Sequence, residues 1–304
     1  MSLTVSLAVS LAVPAGKPDG TPEHDDTGAA TAGGAPTRPA IVVTGASEGI
    51  GLAIAHRFAA TGHAVLMIAR REDLLEAAAR DLGRHRNVEA IALALDVTAA
   101  DAGARIEAAL ALHGLHADIL VNNAGIGLGG DFLHHGEAEI ISLINLNVLA
   151  LSLLTRRFLP AMIARRSGGI INVASVGGFA PGPYQAAYYA SKAYVISLTR
   201  ALAQEVCGQG VGVCVVTPGP IATAFHAKMG ADTAFYRYLL PALGAEAVAR
   251  ATWRGWHLGF RVIQPGLLTP ILTLLMRLTP WLVLVPIVGF LLHKRYPGGP
   301  RPKP

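Results

Sequence analysis

The sequence predicts an α/β chain built around one doubly wound parallel sheet with helices on both faces, and three observations point there. From Pro39 onward, short apolar runs alternate with longer stretches of helical pattern. The runs are apolar at successive positions, so both faces of each strand are buried, as a parallel sheet requires. The stretches between them reach about 12 residues or more, enough for the right-handed crossover that brings the chain back to a parallel neighbour.

The chain opens with an apolar stretch at 3–13, followed by Gly, Pro, Thr, Ala and Asp residues that bury little surface, so 1–38 is expected to be a disordered tail. The opening has the length of a secretory signal but no Lys or Arg ahead of its apolar run. A misassigned start or a short interfacial helix would give the same pattern. Strands are predicted at 40–44, 64–68, 88–93, 118–121, 169–174 and 211–216, with helices in the gaps, among them 52–60 and 187–206. These fill a single domain at 39–265. Residues 266–304 form an apolar extension with a basic end.

Composition narrows the function classes. Hydrophobic residues make up 52 % of the 304 and charged residues 15 %, and much of the apolar excess lies at 267–292, where Arg277 is the only charge. The formal charge is +5 and the pI about 9.4, but the basic residues are scattered without a nucleic-acid-binding motif, so no nucleic-acid partner is expected. His293, Lys294, Arg295, Arg301 and Lys303 follow the apolar stretch directly, where a membrane-surface anchor places its cations. Pro270, Pro280 and Pro286 interrupt that stretch, and no run reaches the ~20 apolar residues that span a bilayer. Attachment of 267–295 to a membrane surface is one reading; a subunit interface or a lid over a substrate pocket is the other. Cys207 and Cys214 read as small buried apolar residues, which fits a reducing cytoplasm and offers neither a disulfide framework nor a metal site.

Chemistry concentrates at the carboxyl ends of the predicted strands. Thr44-Gly45-Ala46-Ser47-Glu48-Gly49-Ile50-Gly51 follows the first strand and opens a helix. Glycines there permit a tight turn and let backbone amides and the helix N-terminus approach a pyrophosphate. The second strand ends at Ile68-Ala69, and the chain then reads Arg70-Arg71 with no carboxylate at that edge, which favours the 2′-phosphate of NADP(H) over NAD(H); Glu48 argues the other way. Asp96-Val97 could place a carboxylate against an adenine amino group or cap a helix. Asn122-Asn123-Ala124-Gly125 closes the fourth strand at the edge where dinucleotides bind.

Tyr188 and Lys192 lie four residues apart in a predicted helix, and Ser175 is thirteen residues upstream of Tyr188. Positions i and i+4 share a helix face, so the ammonium comes near the phenol and is expected to lower its pKa from about 10 toward the working range. A serine hydroxyl beside such a pair suits carbonyl reduction or alcohol oxidation. The segments 176–187 and 221–243, with Phe179, Pro183, Phe225, Phe235 and Tyr238, would line an apolar substrate pocket.

Together these motifs, with Pro218-Gly219, stand in the order and at the spacings of the short-chain dehydrogenase/reductase family, which the chain resembles over 39–265. The resemblance implies a Rossmann-type fold, an NAD(P)-dependent enzyme preferring NADP, and a small carbonyl or alcohol substrate. It implies that Gly45, Ser47, Glu48, Gly49, Ile50, Gly51, Arg70, Arg71, Asp96, Val97, Asn123, Ala124, Gly125, Tyr188, Lys192, Pro218, Gly219, Ile221 and Thr223 contact the cofactor. Ser175 would then hydrogen-bond the substrate oxygen, Tyr188 pass the proton, and Lys192 hold the nicotinamide ribose. Asn147, rather than Asn145, would fix a break in its helix and hold a water beside Lys192. The family further implies a homo-oligomer. A nucleotide-sensing regulator or a membrane-associated scaffold without turnover is the non-enzymatic alternative, although such proteins often lose the tyrosine or lysine that this chain keeps.

Overall fold

Strand β1 (Arg38–Thr44) sets the pattern of the molecule, because its successive side chains enter two different cores. Ile41 and Val43 pack on one face of the sheet, Ala40 and Val42 on the other. The computed structural model describes residues 37–221 and 242–293. Five further strands of five to eight residues join β1: β2 (Ala64–Ala69), β3 (Ala90–Ala94), β4 (Leu115–Asn122), β5 (Gly169–Val173) and β6 (Gly212–Val216). A two-residue β7 (Val262–Ile263) follows, and all seven run parallel in the order β3-β2-β1-β4-β5-β6-β7. This is the expected doubly wound sheet.

Helices α1 (Gly49–Ala59) and α2 (Glu72–Arg86) cover one face through Ile54, Phe58, Leu75 and Leu82, joined there by α7 (Ala245–His257) through Val248 and Ala249. The other face lies under α3 (Ala102–Leu112), α5 (Leu151–Arg165) and α6 (Ala186–Glu205), with Ile106, Leu154, Phe158, Met162 and Ala203 buried. Helix α4 (Glu137–Ile144) runs into α5 through a π-helical turn at Asn145–Ala150. Between β4, β5 and their covering helices the core is polar. Asn122 donates to Thr155 at 3.1 Å and to Asn172 at 2.9 Å, and Asn172 donates to Thr199 at 2.9 Å. This ladder fixes α5 and α6 against the two strands that carry the cleft floor.

Most strand ends shift from expectation by a residue or two, and two larger departures, at β4 and β7, have a physical reason. Strand β4 begins three residues before 118, because His116 and Asp118 alternate with Leu115 and Ala117 where the sheet meets solvent, which hides the strand from an apolarity reading. β7 is too short to leave a periodic signal; its neighbours bind β6 through Val215 N–H to Arg261 O at 3.0 Å and Thr217 N–H to Ile263 O at 2.8 Å. Beyond it lie α8 (Leu268–Leu278) and α9 (Trp281–Leu292). Pro280 alone marks a break, as the N-cap of α9. Pro270 sits in the first turn of α8, where its missing N–H costs nothing, and Pro286 lies inside α9. At 11 and 12 residues, each helix is shorter than the ~20 residues that cross a bilayer.

Cys214 is buried in β6 as expected, and burial pushes its thiol up to about 12. Cys207 departs from expectation. It is exposed just past the end of α6, where its Sγ accepts from Arg261 at 3.3 Å.

Candidate active site

The glycine turn between β1 and α1 is held open by backbone shape. Gly45 and Gly49 adopt left-handed φ of 66° and 62°, and a Cβ on Gly51 would strike the Gly45 carbonyl and the Asn123 amide. Asn123 donates its side-chain amide to Thr44 O at 2.9 Å and Gly45 O at 3.1 Å. Thr44 Oγ1 accepts from Asn123 N–H and Ala124 N–H, both at 3.0 Å. The end of β4 is thereby clasped to the end of β1. Helix α1 starts here with no acidic residue in its first turn and no side-chain cap, so its first amides face the cleft as anion donors. Thr44 is absent from the sequence-based site because its role is to clasp two strand ends, which no local pattern announces.

The arginines at the end of β2 have carboxylate neighbours that the local sequence does not supply. Arg71 Nη2 lies 2.8 Å from Glu48 Oε1, and Arg70 Nη1 lies 3.9 Å from Asp96 Oδ2. The expectation of a carboxylate-free edge is corrected: the fold brings Glu48 from the glycine turn and Asp96 from beyond β3. Asp96 does not cap α3, whose N-cap position is Asp101 without a side-chain capping bond; the Asp96 Oδ1 accepts from Thr98 N–H at 2.9 Å and Thr98 Oγ1 at 2.7 Å. Burial raises its pKa, but the Thr98 bonds and Arg70 outweigh that and leave the carboxyl below its ordinary value.

Tyr188 and Lys192 lie one turn apart on α6, both buried, with the Lys192 Nζ 5.8 Å from the Tyr188 ring centre. Ser175 lies two residues past β5 and caps a short 3₁₀ turn (Val176–Phe179), its Oγ accepting from Gly177 N–H at 3.1 Å. Lys192 donates to Val173 O at 3.0 Å. Burial pushes the Tyr188 phenol up to about 12, against a hydrogen bond with Ser175 that pulls it down, and pushes the Lys192 ammonium down to about 8. The expected acidified phenol is therefore not what these side chains give by themselves: removal from water outweighs the Ser175 hydrogen bond.

Asn147 sits in the π-helical turn, buried, and bridges two elements. Its amide donates to Ile126 O at 2.8 Å and Ser191 Oγ at 3.1 Å and its oxygen accepts from Ile126 N–H at 2.9 Å. The widened helix thus coincides with the asparagine to which a helix break was assigned. Gly125 packs between this residue and Lys192, since a Cβ there would lie 3.2 Å from Asn147 Oδ1 and 3.4 Å from Lys192 Nζ.

All of this borders one cleft of ≈ 870 Å³, near the top of the ~300–1,000 Å³ of small-molecule sites. Its walls carry Gly45, Ser47, Glu48, Gly49, Ile50, Arg70, Arg71, Asp96, Val97, Asn123, Ala124, Gly125, Ser175, Tyr188, Lys192, Pro218, Gly219 and Ile221. Gly51 and Asn147 act from behind the wall. Thr223, Phe225, Phe235 and Tyr238 lie outside the described residues. Phe179 and Pro183 do not line the cleft: Phe179 lies under the Arg277 guanidinium at 4.9 Å and Pro183 packs against Gly289. The apolar wall comes instead from Tyr189 and from Leu272, Met276, Val288, Leu291 and Leu292 of α8 and α9. Their place beside the cleft rests on a long-range return of the chain that sequence spacing cannot reveal.

The family described as short chain dehydrogenase matches residues 39–234. The ketoacyl reductase HetN of Nostoc sp. is 37 % identical over 187 residues, 61 % of this chain and 64 % of that protein. The very-long-chain 3-oxoacyl-CoA reductase-A of Danio rerio is 37 % identical over 186 residues, 60 % of this chain and 58 % of that protein. The chain therefore spans less than two thirds of either relative's length. A solved short-chain dehydrogenase from Sphingobium yanoikuyae in complex with NADPH superposes with a TM-score of 0.69 at 33 % identity, covering 75 % of this chain and 88 % of that one.

Proposed function

Because the chain belongs to the short-chain dehydrogenase family, we propose that it is an oxidoreductase that uses NADP(H) to interconvert a carbonyl and an alcohol on a hydrophobic substrate. The observation that carries this reading is the convergence of Ser175, Tyr188 and Lys192 on the cleft that the glycine turn also borders. The NADPH held by the Sphingobium yanoikuyae relative, together with Arg70 and Arg71 at the rim, supports the choice of cofactor. The leucine, valine and methionine wall supports an apolar substrate, as does the lipid named for the Danio rerio relative.

The cleft fits a dinucleotide on its own features: left-handed glycines at the turn, a Gly51 packed too closely behind the wall for any Cβ, and uncapped α1 amides. Glycines 45, 49 and 51 and Asn123 to Gly125 would hold its phosphates and ribose. When bound, the cofactor supplies or receives the hydride at the substrate carbon. Ser175 donates a hydrogen bond to the substrate oxygen and orients it. Tyr188, neutral at pH 7, passes its phenolic proton to that oxygen in reduction and takes it back in oxidation. Lys192 presents a positive charge that stabilises the phenolate left behind, and Asn147 keeps the α4–α5 backbone wide beside it. One carbonyl, one hydride and one proton thus give one alcohol.

Exposed Ile141, Ile144, Leu149 and Leu153 on α4 and α5, with Tyr194 on α6, support a homo-oligomer built on that face. Free Cys207 and Cys214 support a reducing, cytoplasmic setting. The test is substrate-dependent loss of NADPH absorbance across a panel of ketones and aldehydes, with Tyr188→Phe as control. Turnover should fall by on the order of 10³-fold in the variant while NADPH affinity stays within about threefold. A Tyr188→Phe protein that turns over normally would remove the assigned acid. A chain that binds NADPH but reduces nothing would favour the regulatory alternative.

A further inference from the structure

We propose that α8 and α9 form a membrane-seated lid: their outer face rests in the interface of an anionic bilayer, their inner face closes the reaction cleft, and a lipophilic carbonyl compound enters from the bilayer. The entry route rests on the oxidoreductase reading; the seating does not.

Helix α8 is built inside out. Its buried positions are Thr269 and Thr273, whose hydroxyls donate to Pro265 O at 2.7 Å and Pro270 O at 2.9 Å. Its solvent side is a stripe of Leu267, Leu268, Ile271, Leu274, Leu275 and Leu278, each 53–91 % exposed. Water-facing helices of soluble proteins carry the opposite pattern. Helix α9 continues this surface. Leu284, Val288 and Leu292 point inward, one turn apart, while Trp281, Leu282, Val283, Ile287 and Phe290 are 49–88 % exposed. Met276 of α8 packs on that inward row, so the two helices share one inner face.

That inner face belongs to the cleft, through Leu272 and Met276 of α8 and Val288, Leu291 and Leu292 of α9. Helix α9 also rests on the segment that leads from Ser175 to Tyr188. Tyr184, at a left-handed φ of 65°, meets the His293 ring edge-on at 5.0 Å, and Gly289 packs on Pro183. The same pair of helices therefore touches the reaction centre on one side and presents an exposed apolar face on the other.

Charge identifies what covers it. After Glu246 the chain has eight Lys and Arg and no Asp or Glu, whereas the residues up to that point have 17 cationic against 20 acidic side chains. A basic stretch that follows this apolar, Trp-bearing surface in the sequence complements an anionic lipid interface. A second copy would bring the same excess of positive charge, and like charges oppose that pairing.

The test uses the full chain with phosphatidylcholine vesicles, alone or with phosphatidylglycerol. The protein should float with the anionic vesicles, and Ile271→Glu/Leu275→Glu/Leu282→Glu should reduce flotation at least about tenfold. That variant touches no cleft residue, so turnover of a short water-soluble ketone should stay within about twofold, while kcat/KM for a long-chain ketone supplied in vesicles falls by about tenfold. Brominated lipid should quench the unsubstituted protein, and Trp281→Phe should abolish the quenching, which keeps the test valid if the triple variant misfolds. The proposal fails if the wild type stays in the aqueous phase with both vesicle types. It also fails if the glutamates instead dissociate a dimer, or if flotation appears only after residues 1–38 are removed, since these outcomes would make a second copy or the chain's own start the occupant. Flotation without turnover of any ketone would overturn the entry route and the oxidoreductase reading together while leaving the seating.

Discussion

Tyr188 and Lys192 are each held toward their neutral forms by burial, and this sets a pH window for the reaction. Lys192 is charged below about 8 and loses its proton as pH rises through that value, whereas Tyr188 keeps its proton until about 12. Reduction needs both the proton on Tyr188 and the charge on Lys192. Its kcat/KM should therefore be level near neutrality and decline as pH climbs past about 8, which a pH–rate profile in the reductive direction measures; a rate that climbs through that range would contradict the assignment. At the rim, Arg70 makes a long contact to Asp96 and its side chain is mostly exposed, so it is available to a phosphate. Arg70→Asp should shift the ratio of NADPH to NADH efficiency by about tenfold or more toward NADH, and an unchanged ratio would assign the phosphate elsewhere. Glu48 was legible as a counter-argument in the sequence, but its 2.8 Å pairing with Arg71 was not, because the two come from different loops.

At the scale of elements, the glycine turn and the widened helix are the parts that position the chemistry. Asn147→Leu would strip three hydrogen bonds and leave the Ile126 N–H and C=O without their partner. The cost should be on the order of 3 kcal/mol, read as a lower urea midpoint at unchanged slope. Gly51→Ala should instead block NADPH binding, because the added carbon meets backbone and the Asn123 amide rather than a yielding side-chain tip. Isothermal titration would report the loss directly. Six of the seven strands and the glycine turn were legible because each is local: a buried parallel strand is an apolar run, and a phosphate turn is a glycine spacing. β7 was not, since two residues carry no period. The polar ladder of Asn122, Asn172 and Thr199 was hidden for another reason, namely that its members are far apart in the chain and meet only across the sheet.

For the whole molecule, apolarity at the C-terminal end was plain in the sequence, but its direction was not. Hydrophobic residues are expected inside, and only the fold reveals that α8 turns threonines inward and leucines outward. The eight cations after Glu246 carry their own prediction. Flotation with anionic vesicles should weaken as salt rises from about 0.05 to 0.5 M and should retain an apolar remainder, whereas binding indifferent to salt would assign the seating to the leucine stripe alone. The longest described helix, 29 residues from Glu137 to Arg165, crosses the molecule with its wide turn beside Lys192. Deleting one residue among 148–150 would let this rod close to an even pitch, and the turns on either side would keep nearly their present faces, because the wide turn already takes up the extra residue. Inside the turn the amide of residue 147 would swing away from Ile126, while Ile141 and Ile144 would stay on the face they now occupy. A library of single-codon deletions, sorted first for folding and then for turnover, should keep these clones through the first sort and discard them in the second.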